Sequence, residues 1–135
     1  MTERGLVLLL AIGAGLALLS FYRWYRLRPS PAVDRLDVDS LGLELMSGCC
    51  AFVVFTTPAC RPCKAALRVV EHAAEEGAAP TEVRTVDAIE HSELAVRYGV
   101  RTIPTVFLIT ASGHVVKRWK DVPDAADVVT ALAGI

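Results

Sequence analysis

The sequence predicts an α/β fold, a mixed β-sheet flanked by helices, with one N-terminal transmembrane helix. Three observations indicate this. The 135 residues are 53% hydrophobic, which suits a single domain. An uncharged apolar stretch opens the chain, and β-branched apolar runs then alternate with helical patterns. The net charge of -1 and the lack of a stripe of basic and aromatic residues argue against nucleic acid as a partner.

The N-terminal stretch from Gly5 to Tyr22 carries no charge between Arg4 and Arg23. As a helix, these roughly 18 residues would span about 27 Å, near the ~30 Å hydrocarbon thickness of a bilayer. Trp24 and Tyr25 follow as an aromatic anchor. A cleaved signal peptide is the alternative, but no cleavage site of the Ala-x-Ala type follows. We therefore expect residues 1–28 to form an uncleaved, single-pass anchor in the cell membrane.

The orientation of this anchor follows from its flanking charges. Arg4 precedes the span, whereas Arg23, Arg26 and Arg28 follow it. The excess of basic residues on the second side predicts that the following domain faces the cytoplasm, with the extracytoplasmic orientation as the alternative. Small residues at 11–17 would let two such helices approach closely, so a homodimer is weakly indicated.

A stiff, Pro-rich linker at residues 29–35 leads into the predicted domain at residues 36–135. The first predicted element of this domain is a short helix that Asp39 or Ser40 caps and that reaches about Met46. The other predicted elements are a strand at 51–57, a helix from 61 or 62 to about 76, a strand at 81–86, a helix at 92–98, strands at 106–110 and 115–120, and a helix at 123–132.

The order of these elements predicts how the strands pair. The strands at 51–57 and 81–86 are joined through a helix, which implies that they are parallel. The strands at 106–110 and 115–120 are separated by a short turn that contains Gly113, which predicts an antiparallel hairpin.

Candidate chemistry lies at Cys60-Arg61-Pro62-Cys63, where the first strand gives way to the helix. Free backbone N–H groups and the positive end of the helix dipole favour a thiolate at Cys60. Arg61 should lower the pKa of this thiol further and make the couple more oxidising. Cys63 lies one turn later as the resolving thiol, and Pro62 fixes the turn. Such an exchange needs no metal or organic cofactor.

A second feature is Pro104, at the entrance of an apolar strand. Proline cannot donate a hydrogen bond to the ladder there, and it often marks a cis peptide bond.

Together these motifs resemble the thioredoxin family, from about Val33 to the C-terminus. The resemblance rests on the Cys60–Cys63 motif followed by Ile103-Pro104-Thr105, with Tyr98-Gly99-Val100 just before. It implies a thioredoxin-like fold and a protein-disulfide oxidoreductase with Cys60 and Cys63 as catalytic residues. Its substrates would be protein disulfides, and its electron donor is unidentified. It also implies a cis Pro104 packed against the cysteine pair, with Ile103 and Thr105 binding an extended substrate segment.

The chain departs from the family pattern at several positions. Val54 replaces a buried acid and Thr85 its lysine partner. Thr56 and Ala59 replace flanking tryptophans, and Arg61 and Asp121 each replace a glycine. These departures indicate one alternative, a non-catalytic binding module. The other alternative, an extracytoplasmic disulfide or cytochrome-maturation reductase, applies if the domain lies outside the cytoplasm.

Cys49 and Cys50 precede the first strand, and we expect them to be small buried residues. A vicinal disulfide or a regulatory thiol is also open. A four-thiolate zinc site with Cys60 and Cys63 is disfavoured, because a second Cys-x-x-Cys is missing. The three histidines show no ligand spacing, and Glu71, Glu75 and Glu76 suit an exposed helix face.

Overall fold

The computed structural model describes residues 2–28 and 32–135. The chain divides into two compact units, residues 1–30 and 31–135. Residues 29–31 of the predicted linker lie outside the described part.

The first unit is a single helix, α1 (Glu3–Leu27), with no buried side chain. It contains the whole predicted span and is long and apolar enough to cross a membrane, a test that a signal sequence would also pass. The Arg28 guanidinium lies 4.9 Å from the Trp24 ring centroid. This end of the helix therefore combines aromatic and basic groups, as is typical of a bilayer interface.

The second unit is an α/β domain built on a four-stranded sheet in the order β2-β1-β3-β4. Its elements are β1 (Cys50–Thr56), α2 (Arg61–Glu76), β2 (Thr81–Asp87), α3 (Ser92–Arg97), β3 (Thr105–Thr110), β4 (Val115–Trp119) and α4 (Ala125–Ala133). Strands β1 and β2 are parallel, whereas β1 with β3 and β3 with β4 are antiparallel. The predicted parallel pair and the predicted hairpin are both confirmed.

The core has two layers because side chains alternate across the central strands. Phe52 and Val54 of β1 pack with Ala66 and Val70 of α2, and Val128 of α4 joins the same layer. On the other face, Val53 and Phe55 pack with Phe107, Tyr98 and Leu36. The mixed sheet flanked by helices, which the sequence predicts, is confirmed.

The prediction of a short helix from Asp39 or Ser40 to Met46 is wrong, because residues 38–42 form a turn and residues 43–46 are irregular. The Asp39 backbone N–H donates to the Asp37 carboxylate at 3.2 Å, and Gly42 has a φ of 65°. This local bonding and the left-handed glycine close a turn that a helix cannot continue through. Leu41 and Leu43 are both buried and belong to the core layer that contains Phe55 and Phe107.

The segment before this turn is hydrogen-bonded to the β3–β4 hairpin. Leu36 N–H donates to the Gly113 carbonyl at 2.8 Å, and Val115 N–H donates to the Asp34 carbonyl at 2.9 Å. Gly113 has a φ of 86°, and a Cβ there would lie 2.1 Å from the Leu36 carbonyl oxygen. Only glycine therefore permits both the turn and the close crossing of the two segments.

Candidate active site

The cysteine pair lies where β1 ends and α2 begins. Cys60 N–H donates to the Thr57 carbonyl at 3.2 Å, which closes the turn after the strand. Cys60 is the N-cap residue of α2, with extended backbone, and Pro62 lies in the first turn. An N-cap side chain lies beside the unpaired N–H groups of the first turn. The fold therefore gives the Cys60 sulfur the position that the sequence predicts for it.

Cys60 and Cys63 form a disulfide, with their Cα atoms 5.4 Å apart. The Cys63 backbone N–H also donates to Cys60 Sγ at 3.2 Å. Cys60 is half-buried, whereas Cys63 is only 3% exposed. The more accessible sulfur is thus the one predicted as nucleophile, and the buried sulfur is the one predicted to resolve.

The sheet register brings the second motif to the same place. Phe55, next to the end of β1, pairs with Thr105, the first residue of β3. The residues just before β3 therefore lie beside the loop that follows β1. Among them, the Ile103–Pro104 peptide bond is cis, as the resemblance implies.

Thr105 is fully buried, and its hydroxyl donates to the Thr102 carbonyl at 2.6 Å. This bond fixes the turn around the cis peptide. Any contribution of Thr105 to substrate binding therefore comes through the turn, whereas Ile103 is half-buried and accessible. The substrate-binding roles of both residues remain predictions.

The end of β4 reaches the same region, where the family resemblance indicates Asp121 but no sequence signal indicated Lys120. Trp119 pairs with Val106, so that Lys120 and Asp121 come next to the start of β3. The Thr102 hydroxyl donates to the Lys120 carbonyl at 2.9 Å. The hairpin signal carried only part of this information, because the register between β3 and β4 shifts at Leu108 and Ile109, which the turn alone does not indicate.

The end of β2 completes this region. Ala88 N–H donates to the Thr56 carbonyl at 2.8 Å. The Asp87 carboxylate then accepts from Ile89 N–H at 2.8 Å and from Glu90 N–H at 3.2 Å. The loops after β1, β2 and β4 and the segment before β3 thus meet at one end of the sheet, which we call the active-site end.

Arg118 stabilises the chain that leads to the cis peptide. Its guanidinium donates to the Gly99 carbonyl at 2.6 Å and to the Tyr98 carbonyl at 3.3 Å. It also lies 4.9 Å from the Phe107 ring centroid. Burial, and secondarily the charge of Arg101, lowers the pKa of Arg118. No sequence motif indicated this residue, because its contacts join parts of the chain that are distant in sequence.

The position of the family's buried acid is apolar. Val54 is fully buried in the layer that faces α2, and it pairs with Thr85 on β2. Neither side chain can take up a proton. Proton transfer from Cys63 therefore has no carboxylate at this position to assist it.

The other two cysteines are free thiols at the opposite end of β1. Cys50 is buried and Cys49 is half-exposed. Burial, and secondarily the neighbouring Cys49, raises the pKa of the Cys50 thiol, so that the unreactive thiol form is favoured. Within residues 2–28 and 32–135, no group of three or more metal-ligating side chains is placed to hold a metal ion.

Comparisons with known proteins agree with this geometry. The family model described as Thioredoxin matches residues 45–133. A thioredoxin from Methanocaldococcus jannaschii is 38% identical over 55 residues, which cover 41% of this chain and 65% of the relative. A thioredoxin from Pyropia yezoensis is 33% identical over 63 residues, which cover 47% of this chain and 59% of the relative. The chain thus spans less than two thirds of these relatives' length.

A solved structure, a mutant thioredoxin from Halobacterium salinarum NRC-1, is similar in fold. It superposes with a TM-score of 0.56 and 28% identity, over 63% of this chain and 73% of that protein. The residues matched by the family model make up more than half of the chain. They include the cysteine pair, the cis proline and all four strands. The chain belongs to the thioredoxin family.

Proposed function

We propose that this protein is a membrane-anchored thiol–disulfide oxidoreductase that reduces or exchanges protein disulfides through Cys60 and Cys63. One observation carries the proposal. The half-buried Cys60 and the buried Cys63 are joined in a disulfide at the N-terminus of α2, at the end of the sheet where the cis Ile103–Pro104 bond lies. This combination supplies an accessible sulfur, a resolving sulfur and a fixed neighbouring turn.

The reaction starts from the dithiol form. The Cys60 thiolate attacks one sulfur of the substrate disulfide, which forms a mixed disulfide and releases one substrate thiolate. Cys63, after losing its proton to solvent, attacks Cys60 Sγ and releases the second substrate thiol. The substrate has then gained two electrons, and the Cys60–Cys63 disulfide has formed. A dithiol donor must reduce this disulfide before the next cycle.

The groups around Cys60 favour its thiolate form, both when Cys60 attacks the substrate and when it leaves as the Cys60–Cys63 disulfide is reduced. The Cys63 N–H points at Cys60 Sγ in the disulfide form, and the same group can stabilise negative charge on that sulfur in the dithiol form. Arg61, the first residue of α2, adds a positive charge next to it. Val54 supplies no proton acceptor for Cys63, so we expect the resolving step to be slower at neutral pH than at pH 9.

The test is reduction of insulin disulfides with dithiothreitol as the electron donor. Cys60→Ser should abolish the protein-dependent rate, because Cys63 is buried and Cys49 and Cys50 do not lie at a helix N-terminus. Cys49→Ser is the matched control, since it removes a free, half-exposed thiol, and it should keep the wild-type rate. Full activity of Cys60→Ser would refute the proposal. A non-catalytic binding module would instead show no reversible disulfide in a redox titration.

Membrane anchoring is the second part of the proposal. It is supported by the 25-residue apolar helix α1 without buried side chains and by the aromatic and basic groups at its C-terminal end. We propose that the domain faces the cytoplasm, because more arginines follow the span than precede it. A C-terminal alkaline phosphatase fusion should be inactive and a C-terminal green fluorescent protein fusion should fluoresce. Active phosphatase would instead place the domain outside, in line with the extracytoplasmic reductase alternative.

A further inference from the structure

The charged residues of α2 have the opposite arrangement to the one that the helix dipole favours. Arg61, Lys64 and Arg68 occupy its N-terminal half, whereas Glu71, Glu75 and Glu76 occupy its C-terminal half. The first turn contains no acidic residue and the last turn no basic residue. Helices are stabilised by the reverse arrangement, with acids near the N-terminus and bases near the C-terminus. Helix stability therefore does not explain why these cations lie next to Cys60.

Two further cations lie at the active-site end. Arg101 precedes the cis Ile103–Pro104 bond by two residues, and Lys120 is held next to this turn by the bond from the Thr102 hydroxyl. Arg101 also lies close enough to Arg118 for its charge to lower the pKa of that guanidinium. We call Arg61, Lys64, Arg101 and Lys120 the basic rim; all four are exposed.

The side chains of the basic rim are free of direct ion pairs in the described part of the chain. None of its four side chains forms a salt bridge with any residue in the described part of the chain. The nearby Asp87 and Asp121 carboxylates accept from backbone N–H groups of their own turns. Glu90 and Asp124 are further exposed acids in these loops. The segment that holds Cys60 carries Arg61 and Lys64 and has no acid from residue 45 to residue 70, so the charges closest to Cys60 along the chain are positive.

We infer that the basic rim selects protein disulfides whose cysteines are flanked by Asp or Glu. This proposal rests on the proposed function, since Cys60 must attack the bound disulfide. A positive field around the reacting sulfur raises the local concentration of an acidic segment and speeds its association. A basic segment is repelled by the same field. The surface thus discriminates between disulfide substrates by their charge.

The first experiment measures the field without requiring enzymatic activity. The full chain is reduced in neutral detergent, and Cys60 is alkylated either with iodoacetate, which is an anion, or with iodoacetamide, which is neutral. Mass spectrometry of the peptide that contains Cys60 gives the rate with each reagent. We expect the iodoacetate-to-iodoacetamide rate ratio to exceed that of glutathione by about tenfold at low salt. The ratio should fall as salt is raised, because salt screens exposed charges.

Variants assign this effect to the basic rim. Arg101→Gln and Lys120→Gln should each lower the ratio, and the triple variant Lys64→Gln, Arg101→Gln, Lys120→Gln should bring it close to that of glutathione. Arg35→Gln is the control, because it removes one positive charge, as Arg101→Gln and Lys120→Gln each do. Arg35 is also exposed, but it pairs with His114 at the hairpin, at the other end of the sheet. A ratio equal to that of glutathione in the wild type, or an equal effect of Arg35→Gln, would overturn the inference.

The second experiment measures selectivity. Three disulfide-linked peptides, identical except for Glu, Gln or Lys beside the cysteines, are compared as substrates at low and high salt. We expect kcat/KM to decrease from Glu to Gln to Lys, with about tenfold between the extremes at low salt. Equal values would refute charge selection while leaving the oxidoreductase function intact. Reduction of none of the peptides would refute the proposed function, and the alkylation ratio would still decide whether the field exists.

Discussion

The two ends of the β-sheet each carry a pair of cysteines, and the two pairs have opposite chemistry. At the active-site end, Cys60 is a half-buried N-cap residue whose sulfur accepts a backbone N–H. At the opposite end, where β1 begins and the β3–β4 hairpin turns, Cys50 is buried within a strand and the pKa of its thiol is raised. The residue type is the same. Exposure and the direction of nearby N–H groups therefore decide which cysteine can react.

The two ends also differ in what their loops do. The loops of the active-site end leave Arg61, Arg101 and Lys120 exposed around the disulfide. The hairpin end is closed by the segment at 34–36, which crosses Gly113 through backbone hydrogen bonds. One end is thus arranged for contact with other molecules, and the other for internal packing. Substitutions at the first should change reactivity more than stability, and substitutions at the second should do the opposite.

The largest expected effect comes from Cys63→Ser at the active-site end. We expect turnover with insulin to fall by at least about 100-fold, because the mixed disulfide on Cys60 can no longer be resolved within the protein. The variant should accumulate a covalent complex with substrate that dithiothreitol releases. Non-reducing gel electrophoresis and mass spectrometry detect this complex. Its absence, with turnover retained, would contradict the assignment of Cys63 as the resolving thiol.

Thiol labelling compares the two pairs directly. In the reduced native protein, N-ethylmaleimide should modify Cys60 first, then the half-exposed Cys49, whereas buried Cys50 should react only as the domain unfolds. Mass spectrometry of quenched samples gives the order. Labelling of Cys50 at the rate of Cys49 in native protein would mean that the hairpin end opens more readily than its packing implies.

Gly113→Ala tests the structural role of the hairpin end. An alanine there would be strained at a φ of 86° and would place Cβ 2.1 Å from the Leu36 carbonyl oxygen. Gly42 is the matched control, because its φ is 65° with no atom within 4 Å of an added Cβ. We expect Gly42→Ala to cost about 1 kcal/mol from strain alone, and Gly113→Ala about 3 kcal/mol, since steric displacement adds to the strain.

Urea unfolding of both variants in the same detergent measures the two free energies. Equal losses would show that the crossing segment is not held against the hairpin. Folded Gly113→Ala should reduce substrate disulfides through Cys60 and Cys63 at a rate close to that of the wild type, since the substitution lies at the other end of the sheet.

Thr105→Val tests whether the turn at the cis proline is held by a side chain. Valine keeps the shape but removes the hydroxyl that donates to the Thr102 carbonyl at 2.6 Å. We expect the free energy of unfolding to fall by about 1 kcal/mol, with a larger relative loss in kcat/KM for protein disulfides than in reduction of a small aromatic disulfide. Thr105→Ser, which keeps the hydroxyl, should restore the protein-disulfide rate. Failure of this rescue would contradict a positioning role.

The smallest expected effect concerns Asp127 on α4. Its carboxylate accepts from Lys117 and, at 2.7 Å, from Trp119 Nε1. The hydrogen bond from Lys117, followed by that from Trp119, lowers the pKa of Asp127. Because the folded-state pKa is the lower one, the stabilisation is present above the unfolded pKa, about 3.9, and is lost as the pH falls through the folded value.

Asp127→Asn should therefore be slightly less stable than the wild type at pH 7, and the difference should shrink as the pH is lowered from 5 to 2. Chemical unfolding at several pH values measures it. A difference that grows on acidification would contradict the sign of the shift. Exchange activity at pH 7 should not change, since the Asp127 carboxylate accepts hydrogen bonds from Lys117 and Trp119 and from neither cysteine of the pair.

Much of the fold was predictable because its signals are local. The apolar run at β1, the glycine after α2 and the short turn before β4 fix element types within a few residues, and the observed bounds differ from the predictions by one or two residues. The prediction of a helix from Asp39 or Ser40 to Met46 failed because the capping residues there suit both a helix N-terminus and a turn. The Asp37 side chain and the left-handed Gly42 decided between them.

The sequence by itself determined the apolar N-terminal helix, the order of strands and helices in the domain, and the reactive cysteine pair at a strand-to-helix junction. All of these depend on periodicity and on neighbours within one turn. Only the tertiary structure decided that Lys120 lies beside Thr102, that Arg118 holds the Tyr98 and Gly99 carbonyls, and that Thr105 faces inward. These contacts depend on strand register and chain crossing, which pair residues far apart in sequence and leave no local pattern.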